Sequence, residues 1–173
     1  PTLFGPGETS RLCSTGASPE ALDDAIARAA ELLNNARRPF LFAGHGVLLA
    51  EAQAALRTFV EKTQIPCAST LLGLSALPVG HAQHVGMLGM HGNYSTNMLT
   101  NEADVLIAVG MRFDDRVTGK LDEYAPDARI VHIDIDPAEI GKNVPTEVGI
   151  VADAGVALAA LTPLVEPRDR TDW

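Results

Sequence analysis

The 173-residue sequence has few cysteines, fewer basic than acidic residues and no long apolar run, and each shortage excludes a class of protein. Its two cysteines, Cys13 and Cys67, stand in unrelated contexts without a CxxC spacing, so we expect reduced thiols in a cytoplasmic protein. No signal peptide or uncharged run of about 18 residues occurs, so we expect no membrane segment. Subtracting 22 acidic from 13 basic residues leaves a net charge of −9. Because the basic residues are not clustered, we expect no nucleic-acid partner.

Hydrophobic residues make up 46% of the sequence, enough to form the core of one domain. Residues 1–17, "PTLFGPGETSRLCSTGA", are rich in turn residues and aperiodic, which is typical of an interdomain linker. The chain also begins at Pro1. We therefore expect a piece of a longer protein.

Helical and strand patterns alternate along the chain. Ser18 and Pro19 are typical of a helix start, and the residues that follow have helical periodicity. Strands are predicted for "PFLFAGHG", "PCAST", "DVLIAVG", "RIVHIDI" and "GIVAD", and further helices for "LLAEAQAALRTFVEKTQ", "GNYSTNMLTNEA" and "DAGVALAALTPLV". Since "DVLIAVG" has no polar alternation, both faces of that strand should be buried. This order predicts a three-layer α/β/α fold with a Rossmann-like parallel sheet.

Glycines, carboxylates and arginines follow the predicted strands, where a parallel sheet binds ligands. Glycine lets backbone approach a phosphate or flat ring, and carboxylates accept hydrogen bonds from ribose hydroxyls. Guanidinium groups match pyrophosphate oxygens. The pattern predicts a dinucleotide, with the candidate residues Gly44, His45, Gly46, Gly110, Arg112, Arg116, Asp134, Asp136 and Asp153.

Each of these features also has a structural interpretation. Glycines after strands are common in turns, and "GHG" lacks the full GxGxxG pattern. Asp114 and Asp115, between the two arginines, are also typical of a surface ion-pair cluster. The histidines of "HAQH" lack metal-site spacing and are interpreted as structural or surface residues. Cys67 is interpreted as a small buried hydrophobe, and His132 as a hydrogen-bonded histidine of the sheet.

Three stretches carry a family resemblance. In order, "MLGMHG" at residues 87–92, "VGMRFDDRVTGKLDEYAP" and "IVHIDIDPAEIGKN" closely resemble the central domain of the catalytic large subunit of acetolactate synthase. The resemblance runs from about Arg37 to Val165. It implies a thiamine diphosphate enzyme of three domains whose central domain binds FAD. In this chain that central FAD-binding domain would span residues 18–165, and residues 166–173 would form a linker to the C-terminal domain. Thiamine diphosphate and Mg2+ would be held by the other two domains.

The resemblance also implies a role for each position that matches a family motif. The family residues that line the flavin ring are matched here by Leu88, Gly89, Met90 and His91. Those at the phosphates and ribityl chain are matched by Gly44, His45, Gly46, Gly110, Arg112, Asp114, Arg116 and Val117. Those along the cofactor are matched by Thr70, Leu71 and Leu72, and those around the adenosine by Asp134, Ile135, Glu139 and Asp153. Many relatives have glycine in place of His45 and Ala152. No catalytic or metal-binding residue is implied in this chain.

The implied activity belongs to a longer parent. It would decarboxylate pyruvate and join the two-carbon unit to pyruvate or 2-ketobutyrate, in branched-chain amino acid biosynthesis. The fragment alone would bind FAD in a structural role and catalyse nothing. Homo-oligomers and a regulatory subunit are expected of the parent. The alternative is an ADP-binding or purely structural central domain of another thiamine diphosphate enzyme, and an NAD-dependent oxidoreductase is disfavoured because the GxGxxG pattern is incomplete.

Overall fold

The computed structural model describes residues 18–173, so the predicted linker over residues 1–17, including Cys13, lies outside the described residues. Six strands and six α-helices are present in the described part. The strands are β1 Pro39–Ala43, β2 Cys67–Ser69, β3 His84–Met87, β4 Val105–Val109, β5 Arg129–Asp134 and β6 Val148–Val151. The helices are α1 Pro19–Asn35, α2 His45–Leu49, α3 Gln53–Thr63, α4 Tyr94–Glu102, α5 Asp115–Thr118 and α6 Ala154–Leu161, with 3-10 turns at Leu71–Gly73 and Leu121–Glu123.

The strands form one parallel sheet in the order β3-β2-β1-β4-β5-β6. This confirms the predicted fold class. Strands β1 and β4 are buried along their whole length, as expected for central strands covered on both faces. The chain reverses its direction across the sheet between β1 and β4, and ligands bind at this point in doubly wound folds.

Alternate side chains of β1 enter two separate cores, which makes the fold three-layered. Leu41 and Ala43 join a cluster that includes buried residues of α1, α3 and α6. Phe40 and Phe42 join a second cluster on the opposite face, against which Leu99 of α4 packs. Burial of a phenylalanine side chain contributes about 1.5–3 kcal/mol. Both faces therefore help to hold the strand ends in place.

Several parts of the fold differ from the sequence prediction, among them helix α5, which was not predicted. Strand β3 was not predicted, because "HVGM" is only half-buried along its length and has no apolar alternation. The helix predicted to run continuously through Leu49 and Leu56 is broken: α2 ends at Leu49, Glu51 has a φ of 53°, and α3 begins at Gln53. The Ala52 amide bonds back to the Val47 carbonyl at 2.9 Å, which turns the chain between the helices.

Residues 166–173 pack against the domain. The Trp173 indole Nε1 donates to the Pro39 carbonyl at 2.7 Å. The buried Arg170 donates through Nε to the Thr63 carbonyl at 3.2 Å and through Nη1 to the Ala36 carbonyl at 3.3 Å. This segment thus ties together the ends of α1 and α3. Where the domain ends in the longer protein stays a prediction.

Across residues 18–173, none of the helices has the length and apolarity that crossing a bilayer requires.

Candidate functional site

All six strands present their carboxyl ends along one edge of the sheet, and the predicted ligand residues follow these ends. Gly44 follows β1, Thr70 follows β2, Leu88 follows β3 and Gly110 follows β4. On the other side of the edge, β5 ends at Asp134, and Asp153 lies two residues beyond β6. With about 4.8 Å between neighbouring strands, the edge is about 24 Å long. It can therefore accommodate an extended ligand.

The switch point between β1 and β4 is closed by backbone contact. The Gly44 amide donates to the Val109 carbonyl at 2.9 Å, and the Gly46 amide donates to the Gly110 carbonyl at 2.8 Å. A Cβ atom on Gly44 would lie 2.2 Å from the Gly110 oxygen, and one on Gly46 would lie 2.6 Å from the Gly110 Cα. Gly110 itself has a φ of 58°, which favours glycine. The packing of the strand ends thus requires these glycines.

Beside the switch point lies a groove of about 240 Å³. Its walls are mostly apolar and include Ile133 and the exposed side chains of Leu49 and Ile135. Asp134 and Asp153 also line it. Their Oδ1 atoms already accept backbone hydrogen bonds, from Asp136 at 2.9 Å and from Gly155 at 2.9 Å. Apolar walls with two carboxylates suit a flat ring carrying hydroxyl or amino donors.

The arginines beyond β4 are exposed. The side chain of Arg112 is 65% exposed and its Nη2 lies 3.7 Å from Asp114 Oδ2; that of Arg116 is 70% exposed and its Nε lies 3.8 Å from Asp115 Oδ2. Such long surface ion pairs contribute little to stability. Asp114 also caps α5, because its Oδ1 accepts from the Arg116 and Val117 amides at 3.2 and 3.3 Å. Both guanidinium groups therefore remain accessible to an anionic ligand.

The stretch "MLGMHG" forms a turn that touches the arginine segment. The Gly92 amide donates to the Gly89 carbonyl at 2.9 Å, which leaves Met90 and His91 exposed at the middle of the turn. The Met90 amide donates to the Arg116 carbonyl at 2.8 Å. Gly89 has a φ of 96°, and a Cβ there would lie 2.7 Å from the Arg116 oxygen. Two of the three stretches that carry the family resemblance are thus packed together.

The remaining predicted residues lie in different settings. Thr70 caps the 3-10 turn by accepting from the Gly73 amide at 3.1 Å, and Leu71 and Leu72 are 68% and 64% exposed. His45 is exposed at the start of α2. Glu139 does not line the groove. Its Oε1 accepts a hydrogen bond from the Lys142 Nζ at 2.7 Å.

A second cavity, of about 330 Å³, lies next to the Met90 turn and was not anticipated from the sequence. Gly89, Met90 and Val117 line it, together with α4 residues such as Asn97. Tyr124 also lines it. The Tyr124 hydroxyl is buried and has no hydrogen-bond partner among residues 18–173, and burial raises the pKa of this phenol. The helix sequence "YSTNMLTNE" contains several polar residues, so it gave no signal that singled out this cavity.

The structural interpretation agrees with the settings of Cys67, His81 and His84, and in part with that of His132. Burial raises the pKa of the Cys67 thiol to about 12, so this thiol is unreactive at neutral pH. His84 Nε2 lies 3.4 Å from Ser69 Oγ, and His81 Nε2 lies 3.4 Å from Glu61 Oε1. His132 is only partly hydrogen-bonded, because Nε2 lies 2.8 Å from the Met111 carbonyl oxygen while Nδ1 has no hydrogen-bond partner in the described part of the chain. Within residues 18–173, no group of three or more His, Cys, Asp and Glu side chains is arranged to hold a metal.

Comparison with known proteins gives a consistent result. Residues 26–161 match the family model described as "Thiamine pyrophosphate enzyme, central domain". The acetolactate synthase isozyme 1 large subunit of Escherichia coli is 45% identical over 162 residues, which cover 94% of this chain and 28% of that protein. The acetolactate synthase large subunit of Parasynechococcus marenigrum is 49% identical over 152 residues, 85% of this chain and 25% of that protein.

A probable acetolactate synthase large subunit of Methanocaldococcus jannaschii is 46% identical over 152 residues, covering 86% of this chain and 26% of that protein. The chain therefore spans about a quarter of the length of the curated relatives it matches. These similarities confirm the resemblance derived from the three sequence motifs. Since the family match extends over most of the chain and the sheet has the expected parallel topology, the chain belongs to the family of thiamine pyrophosphate enzyme central domains.

Proposed function

We propose that this chain is the FAD-binding central domain of an acetolactate synthase catalytic subunit. One observation carries the proposal: each of the six strands leads into a residue proposed to contact FAD, and all six strand ends lie along one edge of the sheet. The similarity to acetolactate synthase large subunits supports the choice of enzyme.

The edge offers a different surface for each part of the cofactor. The groove with Asp134 and Asp153 suits the adenosine, because apolar walls receive the adenine ring and carboxylates accept from ribose hydroxyls. Arg112 and Arg116 carry the exposed positive charges suited to a pyrophosphate. The turn at Met90 and His91 offers a thioether and an imidazole to the flat flavin ring.

The catalytic work is assigned to the complete enzyme. In this proposal FAD, when bound, shapes the wall of the active site and undergoes no net redox change. Thiamine diphosphate and Mg2+ are held by domains outside this chain, and the complete enzyme condenses pyruvate with a second pyruvate or with 2-ketobutyrate, releasing CO2. This chain's own residues bind and orient the flavin, and they catalyse nothing alone. We further propose that the complete enzyme is a cytoplasmic homo-oligomer that associates with a regulatory subunit.

A second candidate function is an ADP-binding or purely structural central domain. It is favoured by the glycine contacts at the switch point, since a Cβ on Gly44 or Gly46 would collide with protein backbone. Such glycines are needed with or without a ligand. The two candidates differ at the Met90 turn and the exposed arginines. A flavin-binding domain uses both to bind its ligand, whereas a purely structural domain uses neither.

A titration of the 173-residue chain with FAD distinguishes these candidates. Binding is followed by the quenching of flavin fluorescence, with ADP and NAD as competitors. A hydrogen bond to a charged group contributes about 1.5–3 kcal/mol, so Arg112→Ala should weaken FAD binding about 10- to 100-fold. Arg57→Ala is the matched control, because Arg57 is an exposed arginine of α3 that pairs with Glu61.

Saturable quenching that ADP displaces weakly and NAD does not would support the flavin site. ADP binding as tightly as FAD would favour the ADP-binding domain, and no binding of either would favour the purely structural domain.

The proposed activity of the complete enzyme is tested by replacing the matching quarter of the Escherichia coli isozyme 1 large subunit with this chain. Acetolactate formation by the chimera is expected; a folded chimera that forms none would overturn the enzyme assignment.

A further inference from the structure

The turn that carries Met90 and His91 is held at its first residue by a side chain from α4. Asn97 accepts a hydrogen bond from the Gly89 amide through Oδ1 at 3.0 Å and donates one to the Gly89 carbonyl through Nδ2, also at 3.0 Å. The carboxamide thus pairs with both backbone groups of a single residue, as a neighbouring strand would. Two such bonds fix the orientation of Gly89 as well as its position.

Asn93, which caps α4, and Thr96 in its first turn form hydrogen bonds with the backbone of strand β3. Asn93 Oδ1 accepts from the Met87 amide at 2.9 Å, and the Asn93 amide donates to the Met87 carbonyl at 2.8 Å. Thr96 Oγ1 donates to the Val85 carbonyl at 3.0 Å. These contacts cover the outer edge of β3, which among the described strands pairs with β2 alone. Among these three side chains, Asn97 reaches beyond the strand to the turn.

The turn has few other anchors. Its Met90 amide bonds to the Arg116 carbonyl at 2.8 Å, while the Met90 side chain is 60% exposed. A loop with exposed side chains gains little from apolar burial, so polar anchors determine whether it stays in one conformation. Without the Asn97 contacts, the hydrogen bond that Gly89 would keep within residues 18–173 is the one from the Gly92 amide, inside the turn itself.

We infer that Asn97 is a positioning residue that preorganises the Met90 and His91 turn for a flavin ring. This inference rests on the proposed function, because the ring is the ligand that the turn is proposed to face. A preformed turn binds more tightly than a mobile one, since less conformational entropy is lost on binding. Asn97 itself acts through Gly89 and does not need to touch the flavin.

The test compares two asparagines of the same helix. Asn97→Asp keeps the acceptor for the Gly89 amide but removes the donor to the Gly89 carbonyl, and Asn97→Ala removes both. The matched control is Asn101→Asp, one turn further along α4, where Oδ1 accepts from the Ala125 amide at 3.0 Å and the aspartate retains that acceptor. Amide hydrogen exchange of residues 87–92 is measured without flavin, and FAD affinity and the visible flavin spectrum are measured with it.

Asn97→Ala should exchange the Gly89 and Met90 amides about tenfold faster. Asn97→Asp still accepts from the Gly89 amide, so it should speed up mainly the exchange of the Met90 amide. Both variants should bind FAD about tenfold more weakly, whereas the control should change neither exchange nor affinity. At saturating FAD, the absorption band of the Asn97 variants should move towards that of free flavin. Unchanged exchange, or faster exchange with unchanged affinity and spectrum, would overturn the positioning role. Failure of the unaltered chain to bind FAD would instead contradict the proposed function, while the exchange data would still show whether Asn97 holds the turn.

Discussion

At the scale of single residues, the same positions serve the fold and the proposed site. Gly44 has φ and ψ of −102° and −173°, which any residue adopts. What requires glycine there is space, because Gly110 and Met111 leave no room for a Cβ. The glycines of the switch point are therefore explained by packing, and the ligand assignment depends on the arginines, the groove and the Met90 turn.

Gly44→Ala should lower the free energy of unfolding by about 1–3 kcal/mol, since its Cβ would lie 2.4 Å from Met111 Cβ and 2.2 Å from the Gly110 oxygen. Gly80→Ala is the matched control, because no atom lies within 4 Å of a Cβ at that position. Its effect should stay within about 0.5 kcal/mol. Urea unfolding followed by circular dichroism measures both. Equal losses would show that packing at the switch point is not the cause.

The buried imidazole of His132 should make stability depend on pH. Burial lowers the pKa of His132 below its ordinary value, so the folded chain keeps it neutral where the unfolded chain, with a pKa of about 6.5, binds a proton. Its contribution is complete above about pH 6.5 and is lost as the pH falls towards the folded pKa. Between pH 7.5 and 5.5 this loss is at most about 1.4 kcal/mol.

His132→Gln retains a donor for the Met111 carbonyl and should reduce this loss of stability between pH 7.5 and 5.5. Unfolding free energies from urea titrations at both pH values measure the difference. The same substitution at the exposed His45 controls for loss of an imidazole outside the core. A pH dependence that stays the same in His132→Gln would assign the effect to other groups.

At the scale of elements, short helices at the ligand edge are held by their own carboxylates. Asp114 caps α5, and Asp153 caps α6 by accepting from the Gly155 and Val156 amides at 2.9 and 3.2 Å. Such caps satisfy backbone amides that lack partners inside the helix. The aspartates predicted as ligand residues from the sequence therefore also have a structural role, and substitutions must separate the two.

Asp153→Ala should destabilise the chain by about 1 kcal/mol through loss of the α6 cap, whereas Asp153→Asn should retain most of the stability because asparagine caps equally well. Thermal unfolding measures both variants. If Asp153 binds the ribose as proposed, the asparagine variant should still weaken FAD binding. An equal loss of stability in the two variants would mean that the capping contact does not matter.

At the scale of the whole molecule, the C-terminal segment holds distant elements together. Arg170 joins the end of α3, through the Thr63 carbonyl, to the residue that follows α1, Ala36. Arg168 also donates to the Ala36 carbonyl, at 3.1 Å. The segment lies against the first residue of β1 through Trp173. These contacts make residues 166–173 part of the packed structure.

Arg170→Ala should lower the free energy of unfolding by about 1–3 kcal/mol, because it leaves the Thr63 carbonyl without this buried donor. Arg57→Ala, which removes an exposed arginine with a 4.0 Å contact to Glu61, should cost no more than about 0.5 kcal/mol. Chemical denaturation of both variants provides the comparison. Similar values for the two arginines would show that the C-terminal segment adds little to stability.

The sequence by itself determined the alternation of helices and strands, the parallel sheet and the family. Buried strands such as β4 leave uninterrupted apolar runs, and helix α1 has its cap and periodicity within a few neighbouring residues. The three motifs identified the family in the same local way. Information that lies within one segment can be read without knowing the fold.

Only the tertiary structure decided the pairing of β3, the groove beside the switch point and the contact between the Met90 turn and Arg116. These features depend on hydrogen bonds and packing between segments far apart in the chain, such as Met90 with Arg116 and Ser69 with Leu88. Asn97 looked like any polar helix residue until its two bonds to Gly89 were known. An edge strand that pairs on one side and is covered by side chains on the other has no periodic pattern, so its position follows from the assembled fold alone.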